Sequence, residues 1–280
     1  MNMMNNTKYR PFIKWPGNKF RCLEQIIPRL PKAKRLIEPF MGSGSVFLNS
    51  DYKHYILGEK NPYLIKLFKL VQEQGPDFIQ YCAQWFKPQY NQKKQYYTLR
   101  DTFNQTEDQI LKAALLLYLN RHGYNGLCRF NSKGIYNVPF GLYVKPYLPE
   151  KEMLRFHQKS KHCEFIHCDY QQTFAMAKPG DVIYCDPPYH PISKTAKFTL
   201  YTQGLFDETD QTELARLAES TSHRGIHVLI SNHDTEFTRN LYQNAQNIYS
   251  FEVRRSIASL AKQRVSVKEV LAYFPASSSL

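Results

Sequence analysis

Residues Arg35–Gly58 read RLIEPFMGSGSVFLNSDYKHYILG. Two short apolar stretches, Arg35–Phe40 and His54–Gly58, have the length of buried strands. A glycine-containing turn, Met41–Gly44, and a helix-like stretch, Ser45–Asn49, lie between them. A strand, a glycine turn, a helix and a second strand in this order predict the start of a doubly wound α/β sheet.

The part of the chain that follows is patterned as helices. Leu64, Leu67, Phe68 and Val71 share one face at helical spacing, and Gly75 ends that stretch. Further helices are predicted at Ile79–Phe86 and Ile110–Asn120. This region is therefore predicted to be mostly helical.

A β-hairpin is predicted in the next segment, which is rich in glycine, asparagine and aromatic residues. Its turn is Asn131–Gly134, flanked by Leu127–Phe130 and Ile135–Phe140. Beyond it, strands are predicted at Glu164–His167, Asp181–Cys185, Ile226–Ser231, Ile248–Val253 and Glu269–Phe274, and an amphipathic helix at Gln211–Ser220. We therefore predict one α/β domain, residues 1–61 and 150–280, interrupted by a mostly helical insertion at residues 62–149.

The 280 residues include 37 Lys and Arg against 24 Asp and Glu, a formal net charge of +13. This surplus indicates a polyanionic partner, because clustered cations release counterions from phosphates; a basic protein without such a partner is the alternative. Six cysteines without a CxxC pair are typical of reduced, intracellular thiols. The polar N-terminus and the short longest apolar run, Ala113–Leu119, favour a soluble cytoplasmic protein without a membrane segment.

The most specific chemical signal is Asp186-Pro-Pro-Tyr189, directly after the predicted strand Asp181–Cys185. The carboxyl end of such a strand lines the crevice where α/β sheets bind ligands. An amine that attacks a sulfonium methyl group gains positive charge, so catalysis needs fixed acceptors. Asp186 offers a carboxylate, Pro187 a carbonyl on a rigid backbone, and Tyr189 a ring that can stack on a nucleobase. An ordinary proline turn is the alternative.

A second motif, EPFMGSG at Glu38–Gly44, suits ligand binding. Its glycines let the backbone approach a ligand closely, and the following helix N-terminus favours an anionic group. Glu59 ends the next predicted strand and can accept hydrogen bonds from two ribose hydroxyls. Together they indicate a nucleoside cofactor without deciding which one.

These motifs resemble those of the DNA adenine methylase (Dam) family along nearly the whole chain. The matching segments are KWPGNK from Lys14, EPFMGSGSVFLN from Glu38, NRHGYNGLCRFN from Asn120, NVPFG from Asn137, DPPY from Asp186 and ISNHD from Ile230. The resemblance implies a Rossmann-like S-adenosylmethionine-dependent methyltransferase sheet with an inserted, mostly helical DNA-recognition domain that carries a β-hairpin. It also implies methylation of adenine N6 in double-stranded DNA, within GATC, by base flipping and direct in-line transfer. S-adenosylhomocysteine would be the product, no metal would take part, and the enzyme would be a monomer.

The resemblance also implies roles for individual residues. Those expected to hold S-adenosylmethionine are Trp15, Lys19, Phe40, Gly42, Gly44, Glu59, Asp169 and Asp186, and the catalytic ones are Asp186, Pro187 and Tyr189. Lys14, Tyr124, Asn125, Leu127, Arg129, Pro139 and Tyr143 match positions that contact bases or fill the gap left by the flipped adenine; Arg100, Arg121, Asn131 and Asn137 match phosphate positions. Aromatic rings interleaved with cations suit such a surface, although about half of the aromatics, such as Tyr118 and Phe140, are expected to be core.

Some positions depart from the family pattern. Asn18 stands where glycine is usual, and asparagine tolerates positive φ well. Glu59 stands where aspartate is common. Leu142 and Val144 occupy positions that are often basic, so some phosphate contacts are expected to be lost. The segment Leu260–Lys262 replaces a glycine-containing loop.

The motifs also allow other functions. The nearest is methylation of the cytosine N4 amine in the same pocket; a catalytically silent DNA-binding protein is a second. A glutamine or RNA methyltransferase and a nicotinamide oxidoreductase fit the motifs less well. Replication and repair marking, restriction–modification and a phage function all stay open as biological roles.

Three other groups of reactive residues are expected to be structural. The pairs His162-Cys163 and His167-Cys168 flank a predicted strand, where adjacent side chains point to opposite faces, so no metal site is expected. Cys185 ends an apolar strand and is expected to pack rather than act as a nucleophile. His233-Asp234 has no accompanying nucleophile, so a structural or DNA-facing role is expected.

Overall fold

A computed structural model describes residues 8–190, 206–254 and 266–277. In these residues a mixed sheet has the strand order β3-β2-β1-β4-β5-β7-β6. The strands are β1 Arg35–Glu38, β2 His54–Glu59, β3 Cys163–His167, β4 Val182–Cys185, β5 His227–His233, β6 Asn247–Arg254 and β7 Ser266–Phe274. Strands β2, β1, β4 and β5 run parallel, and β7 runs antiparallel to β5 and β6. The predicted α/β fold class is confirmed.

Along the chain, the α-helices of the described residues lie before β1 and between the later strands. They are α1 Leu23–Ile26, α2 Ser45–Asn49, α3 Pro62–Gln74, α4 Pro76–Ala83, α5 Lys93–Gln105, α6 Gln109–His122, α7 Glu150–Lys159, α8 Tyr170–Ala175, α9 Glu208–Ser222 and α10 Glu236–Leu241. Helix α2 has the predicted bounds, and α6 and α9 extend the predicted Ile110–Asn120 and Gln211–Ser220 at both ends.

The chain separates into two compact units. The first, called here the helical unit, comprises Met1–Phe20, Gly42–Asn49 and Glu59–His167. The second, called here the sheet unit, comprises Arg21–Met41, Ser50–Gly58 and Cys168–Leu280.

In the sheet unit, the parallel strands are buried along their length. All residues of β4 are buried, and Leu36 and Ile37 of β1 are fully buried. Continuous apolar runs of this kind are typical of parallel strands covered on both faces. The ends of β1 and β4 therefore carry Phe40 and Asp186 out of a rigid core.

In the helical unit, α3 shows how local sequence sets the ends of a helix. The side chain of Asn61 accepts hydrogen bonds from the N–H groups of Tyr63 and Leu64 at 3.0 and 3.2 Å, and Pro62 occupies the first helical turn. Gly75 ends the helix with a φ of +44°, as its position in the sequence predicts.

Helix α5 was not predicted from the sequence. Its buried residues are Tyr96, Leu99 and Phe103, at helical spacing, but the rest of the segment is polar. Its polar stretch, KKQYYTLRDTFNQ, resembles a loop by composition, and tertiary packing of three side chains decides its structure.

The predicted hairpin is present, although its flanking segments pair over only a few residues. Phe130 and Tyr136 form an isolated antiparallel bridge, and the N–H of Asn131 donates to the carbonyl of Ile135 at 3.0 Å. On the other side of this bridge, the N–H of Asn137 donates to the carbonyl of Arg129 at 3.2 Å. Phe130 and Tyr136 are therefore a non-hydrogen-bonded pair, whose own backbone groups point outward, and those of Tyr136 bind the side chain of Asn104 at 2.9 and 3.1 Å. The predicted hairpin is thus present, with its pairing confined to the residues next to the turn.

Candidate active site and nucleic-acid interface

The loop Asp186–Tyr189 leaves the carboxyl end of β4. Pro187 is buried, Asp186 and Tyr189 are half-buried, and Pro188 is exposed. Strand β4 lies between the parallel strands β1 and β5, so the loop stands at the sheet edge where α/β proteins bind ligands. One short segment thus carries all three predicted catalytic residues.

The side chain of Tyr189 is fixed by two residues of the antiparallel ladder. Its hydroxyl donates to Oε2 of Glu269 at 3.1 Å, and its ring lies edge-on to His233 with centroids 4.8 Å apart. Glu269 and His233 face each other across β5 and β7. Burial, then the charge of Asp186, raises the pKa of Tyr189 well above its ordinary value, so the hydroxyl stays protonated. Sequence reasoning found Glu269 only as part of a strand.

The other reactive groups near this loop have structural surroundings. Cys185 is fully buried, and burial raises the pKa of its thiol well above the ordinary value, which disfavours a nucleophilic thiolate. Nδ1 of His233 lies 2.6 Å from the carbonyl of His190 and donates to it. Asp234 binds Arg239 at 2.5 and 2.8 Å, and this partner lowers the pKa of the carboxyl. These contacts fit the structural roles expected from the sequence.

Two predicted cofactor residues come together in the sheet unit. Phe40 stacks on Tyr170 with ring centroids 5.4 Å apart, and Phe206 meets Phe40 edge-on at 5.6 Å. Asp169 caps α8, because its Oδ1 accepts from the N–H of Tyr170 at 2.7 Å. Sequence reasoning missed Tyr170, whose signal is its position beside Asp169, and Phe206, which carries no local signal.

Three further predicted cofactor residues come together in the helical unit. Gly42 has a φ of +51°, and a Cβ at this position would lie 2.9 Å from Cδ1 of Trp15. Its N–H donates to Oε2 of Glu59 at 3.1 Å, and the N–H of Asn61 donates to Oε1 at 3.0 Å. Burial raises the pKa of Glu59, and the backbone hydrogen bonds oppose this shift.

This arrangement fits a nucleoside cofactor. The carboxylate of Glu59 accepts backbone hydrogen bonds from Gly42, Asn61 and Lys60, and its two oxygens together have about four lone pairs, so acceptor capacity remains for a ribose hydroxyl. Gly42 keeps the space beside Trp15 free of a side chain. Lys19 is buried and donates to the carbonyl of Gly17 at 2.8 Å, and Gly44, with a φ of +75°, leads directly into α2.

Lys14 and Arg121 form a cationic pair in the helical unit. Nζ of Lys14 lies 4.4 Å from the ring centroid of Tyr143, and the guanidinium of Arg121 lies 4.2 Å from that of Tyr147. Burial lowers the pKa of Lys14, and the nearby Arg121 lowers it further. Asn120 fixes the backbone of Lys14, with which it exchanges hydrogen bonds of 2.9 and 2.8 Å. Two neighbouring cations on aromatic rings favour an anionic partner.

The exposed guanidinium of Arg129 is oriented by a residue across the hairpin. Its Nε donates to Oδ1 of Asn137 at 2.7 Å, and Nη2 lies 3.3 Å from the carbonyl of Asn137. Two residues predicted separately as DNA contacts therefore form one unit. Asn131 instead binds its own turn, where Oδ1 accepts from the N–H groups of Lys133 and Ile135.

The other predicted DNA contacts lie around the same hairpin. The carbonyl of Pro139 accepts from the N–H of Tyr124 at 2.8 Å, and both residues are exposed. Asn125 is exposed with a φ of +52°, and Leu127 is half-buried. Arg100 turns toward the carbonyl of Val138, 3.4 Å away. Of the aromatics expected in the core, Tyr118 is fully buried, whereas Phe140 is half-buried.

The departures from the family pattern have distinct structural outcomes. Positive φ falls at Gly17 and not at Asn18, so position 18 does not require a residue that tolerates positive φ. The side chain of Asn18 accepts from the N–H of Phe20 at 2.7 Å. Leu142 and Val144 are 80% and 98% exposed. Leu260–Lys262 lies outside the described residues.

The described residues, 8–190, 206–254 and 266–277, include neither a membrane-spanning helix nor a metal-binding cluster. No helix among them has the length and hydrophobicity to cross a membrane. Among the same residues, no cluster of three or more His, Cys, Asp or Glu side chains is arranged to hold a metal ion.

The sequence family gives this α/β protein its enzyme class. Residues 15–257 match the sequence family described as D12 class N6 adenine-specific DNA methyltransferase. The chain belongs to this family, and it is an adenine-specific DNA methyltransferase. The family assignment decides against cytosine N4 and against a catalytically silent DNA-binding protein.

Named relatives agree with this assignment. Over 268 residues the chain is 47% identical to the "DNA adenine methylase" of Vibrio cholerae serotype O1 (strain ATCC 39315), and 46% identical to that of Escherichia coli (strain K12). Each alignment covers 95% of this chain and 96% of the relative. The solved C-terminal domain of precorrin-6Y C5,15-methyltransferase from Rhodobacter capsulatus aligns over 97% of this chain and 99% of its own at 9% identity, with a TM-score of 0.39; so weak a likeness carries no argument.

Proposed function

We propose that the enzyme uses S-adenosylmethionine to methylate the adenine of GATC in double-stranded DNA and releases S-adenosylhomocysteine. The observation that carries the chemistry is the segment Asp186–Tyr189 at the carboxyl end of the buried strand β4. S-adenosylmethionine, when bound, supplies an electrophilic methyl group. No metal is required, because the amine attacks this group directly.

The residues of the loop stabilise the charge that develops on the adenine. N6 would form its bond to the methyl carbon as the bond between that carbon and sulfur breaks, which leaves S-adenosylhomocysteine. N6 gains positive charge in this step, its N–H groups donate to Asp186 and to the carbonyl of Pro187, and it then loses one proton to solvent. Tyr189 stacks on the extruded base and excludes water from its face. Positioning and electrostatics therefore supply most of the acceleration.

We assign cofactor binding to eight residues: Trp15, Lys19, Phe40, Gly42, Gly44, Glu59, Asp169 and Asp186. The carboxylate of Glu59 accepts the ribose hydroxyls, and the aromatic group around Phe40 suits the adenine of the cofactor.

DNA recognition is assigned to residues 62–149 together with Lys14. The Arg129–Asn137 pair presents a guanidinium that can read guanine, and the Lys14–Arg121 pair suits bases or phosphates. The acting species is proposed to be a cytoplasmic monomer bound to duplex DNA, which sedimentation of the complex would check.

The proposal is tested on plasmid DNA that lacks adenine methylation. After incubation with enzyme and S-adenosylmethionine, the DNA should be fully protected from a nuclease that cuts only unmethylated GATC. It should be fully sensitive to a nuclease that cuts only methylated GATC. If labelled methyl groups enter the DNA while cutting at GATC stays unchanged, GATC is not the target sequence, although the enzyme still methylates DNA.

The catalytic assignment is tested with Asp186→Ala. The loss of one fixed acceptor should lower the rate of methyl transfer by at least about 10²-fold. DNA binding, measured by fluorescence anisotropy, should change little. A variant with wild-type turnover would refute the role of this loop.

A further inference from the structure

A buried amide on β5 connects the catalytic loop to the helix behind it. The side chain of Asn232 is fully buried. Its Oδ1 accepts from the N–H of His190 at 3.1 Å and of His233 at 2.9 Å. Its Nδ2 donates to Oε1 of Gln211 at 2.9 Å and to the hydroxyl of Tyr242 at 3.0 Å. All four hydrogen-bonding positions of this amide are therefore used.

The backbone determines how this amide and its neighbour are oriented. Because two backbone N–H groups face one end of Asn232, that end must be its oxygen, and its nitrogen must face Gln211. Gln211, on α9 and 1% exposed, must then accept with its oxygen. Its Nε2 consequently points at the carbonyl of Pro188, to which it donates at 2.7 Å.

These contacts fix the conformation of Tyr189. The carbonyl of Pro188 belongs to the peptide plane before Tyr189, and the N–H of His190 to the plane after it. One is held by Gln211 and the other by Asn232. Because the only soft backbone angles between these planes are the φ and ψ of Tyr189, both are determined.

We propose that Asn232 and Gln211 are positioning residues for methyl transfer, which act by orienting the segment Asp186–Tyr189 through this amide relay. The inference rests on the proposed role of that segment. Neither side chain need touch adenine or cofactor. Each acts through the backbone on which the acceptors and the stacking ring are mounted.

Substitutions of similar size can reverse the donor and acceptor roles in this amide relay without creating a cavity. In Asn232→Asp, the carboxylate still accepts from both backbone N–H groups but cannot donate to Gln211. The Gln211 amide then turns its nitrogen to Asp and its oxygen to the carbonyl of Pro188, and two acceptors repel. Gln211→Glu places a carboxylate oxygen against the same carbonyl. Gln211→Met removes the donor without repulsion.

The decisive measurement is the single-turnover rate constant of methyl transfer at saturating cofactor and GATC duplex. Asn232→Asp and Gln211→Glu should each lower it by about 100-fold, the cost of a misplacement of about 1 Å, and Gln211→Met should lower it less. The Kd values for DNA and cofactor should stay close to wild type. A purely structural role would instead lower Tm and the active fraction at an unchanged rate constant.

The matched control is Asp181→Asn, which also exchanges a carboxylate for an amide. Asp181 lies directly before the first residue of β4, at the end of the strand opposite to Asp186. The substitution weakens the pair with Arg35, which has contacts of 3.1 and 2.5 Å, and should lower Tm without changing the rate constant. Wild-type rate constants for Asn232→Asp and both Gln211 variants would overturn the inference. If Asp186→Ala were active as well, both the proposed function and the role of the amide relay would fail. If Asp186→Ala were inactive while the relay variants kept wild-type rate constants, only the role of the amide relay would fail.

Discussion

The hydroxyl of Tyr189 donates a hydrogen bond to Oε2 of Glu269, 3.1 Å away on the antiparallel strand β7. The ring proposed to stack on the base is thus anchored at its far end to a part of the chain 80 residues away in sequence. Ring and hydroxyl consequently have separable roles.

Substitutions at Tyr189 should separate these roles. Tyr189→Ala removes base stacking, which is worth about 1–3 kcal/mol per base, and should lower kcat/KM correspondingly. Tyr189→Phe keeps the ring and loses only the anchor, so its loss should be smaller. Steady-state kinetics on a GATC duplex provide the comparison, and equal losses would show that the hydroxyl, rather than the ring, carries the effect.

The buried carboxyl group of Glu59 should make the stability of the folded protein depend on pH. Because burial raises its pKa, the folded protein holds a proton at this carboxyl more tightly than the unfolded chain does. This group therefore makes folding more favourable as pH falls from above its raised pKa towards the unfolded value of about 4.5. The Tm of the wild type, relative to that of Glu59→Gln, should rise as the pH is lowered from above the raised pKa of Glu59 towards about 4.5.

The same substitution should weaken cofactor binding. Hydrogen bonds to a charged acceptor are worth about 1.5–3 kcal/mol, so the Kd for S-adenosylmethionine in Glu59→Gln should rise by about tenfold or more. Isothermal titration calorimetry at pH 7 measures it. An unchanged Kd would remove Glu59 from the cofactor site while leaving the stability prediction intact.

Signals confined to a few neighbouring residues predicted much of this fold. The strands and the turn Met41–Gly44 follow from apolar runs and glycine placement, and DPPY marks the end of β4. The relay Gln211–Asn232 and the anchor Glu269 could not be predicted, because each contact joins residues distant in sequence. Helix α5, whose Asn104 binds the hairpin backbone at Tyr136, was not predicted either, because its own sequence is mostly polar.

Asn137 should influence sequence discrimination through Arg129. In Asn137→Ala the guanidinium loses its partner at 2.7 Å and becomes mobile. Loss of one oriented guanine contact should reduce discrimination between GATC and sites with one changed base by about 1–3 kcal/mol. Competition kinetics with matched duplexes give this ratio. Lys133→Ala is the control in the same turn, because losing an exposed charge should weaken all sequences about equally.

Replacing the exposed residues Leu142 and Val144 with basic residues should change the salt dependence of DNA binding. They are 80% and 98% exposed, so replacing them removes almost no packing and should leave Tm nearly unchanged. Leu142→Arg and Val144→Lys together add two cations beside the predicted reading hairpin. If both reach phosphates, the slope of log K against log salt should steepen by about 0.9 for each new contact. Affinity should rise most at low salt, as measured by anisotropy titrations between about 50 and 200 mM. A slope equal to that of wild type would place this loop away from the DNA backbone, and Lys145→Ala would then be expected to leave the slope unchanged as well.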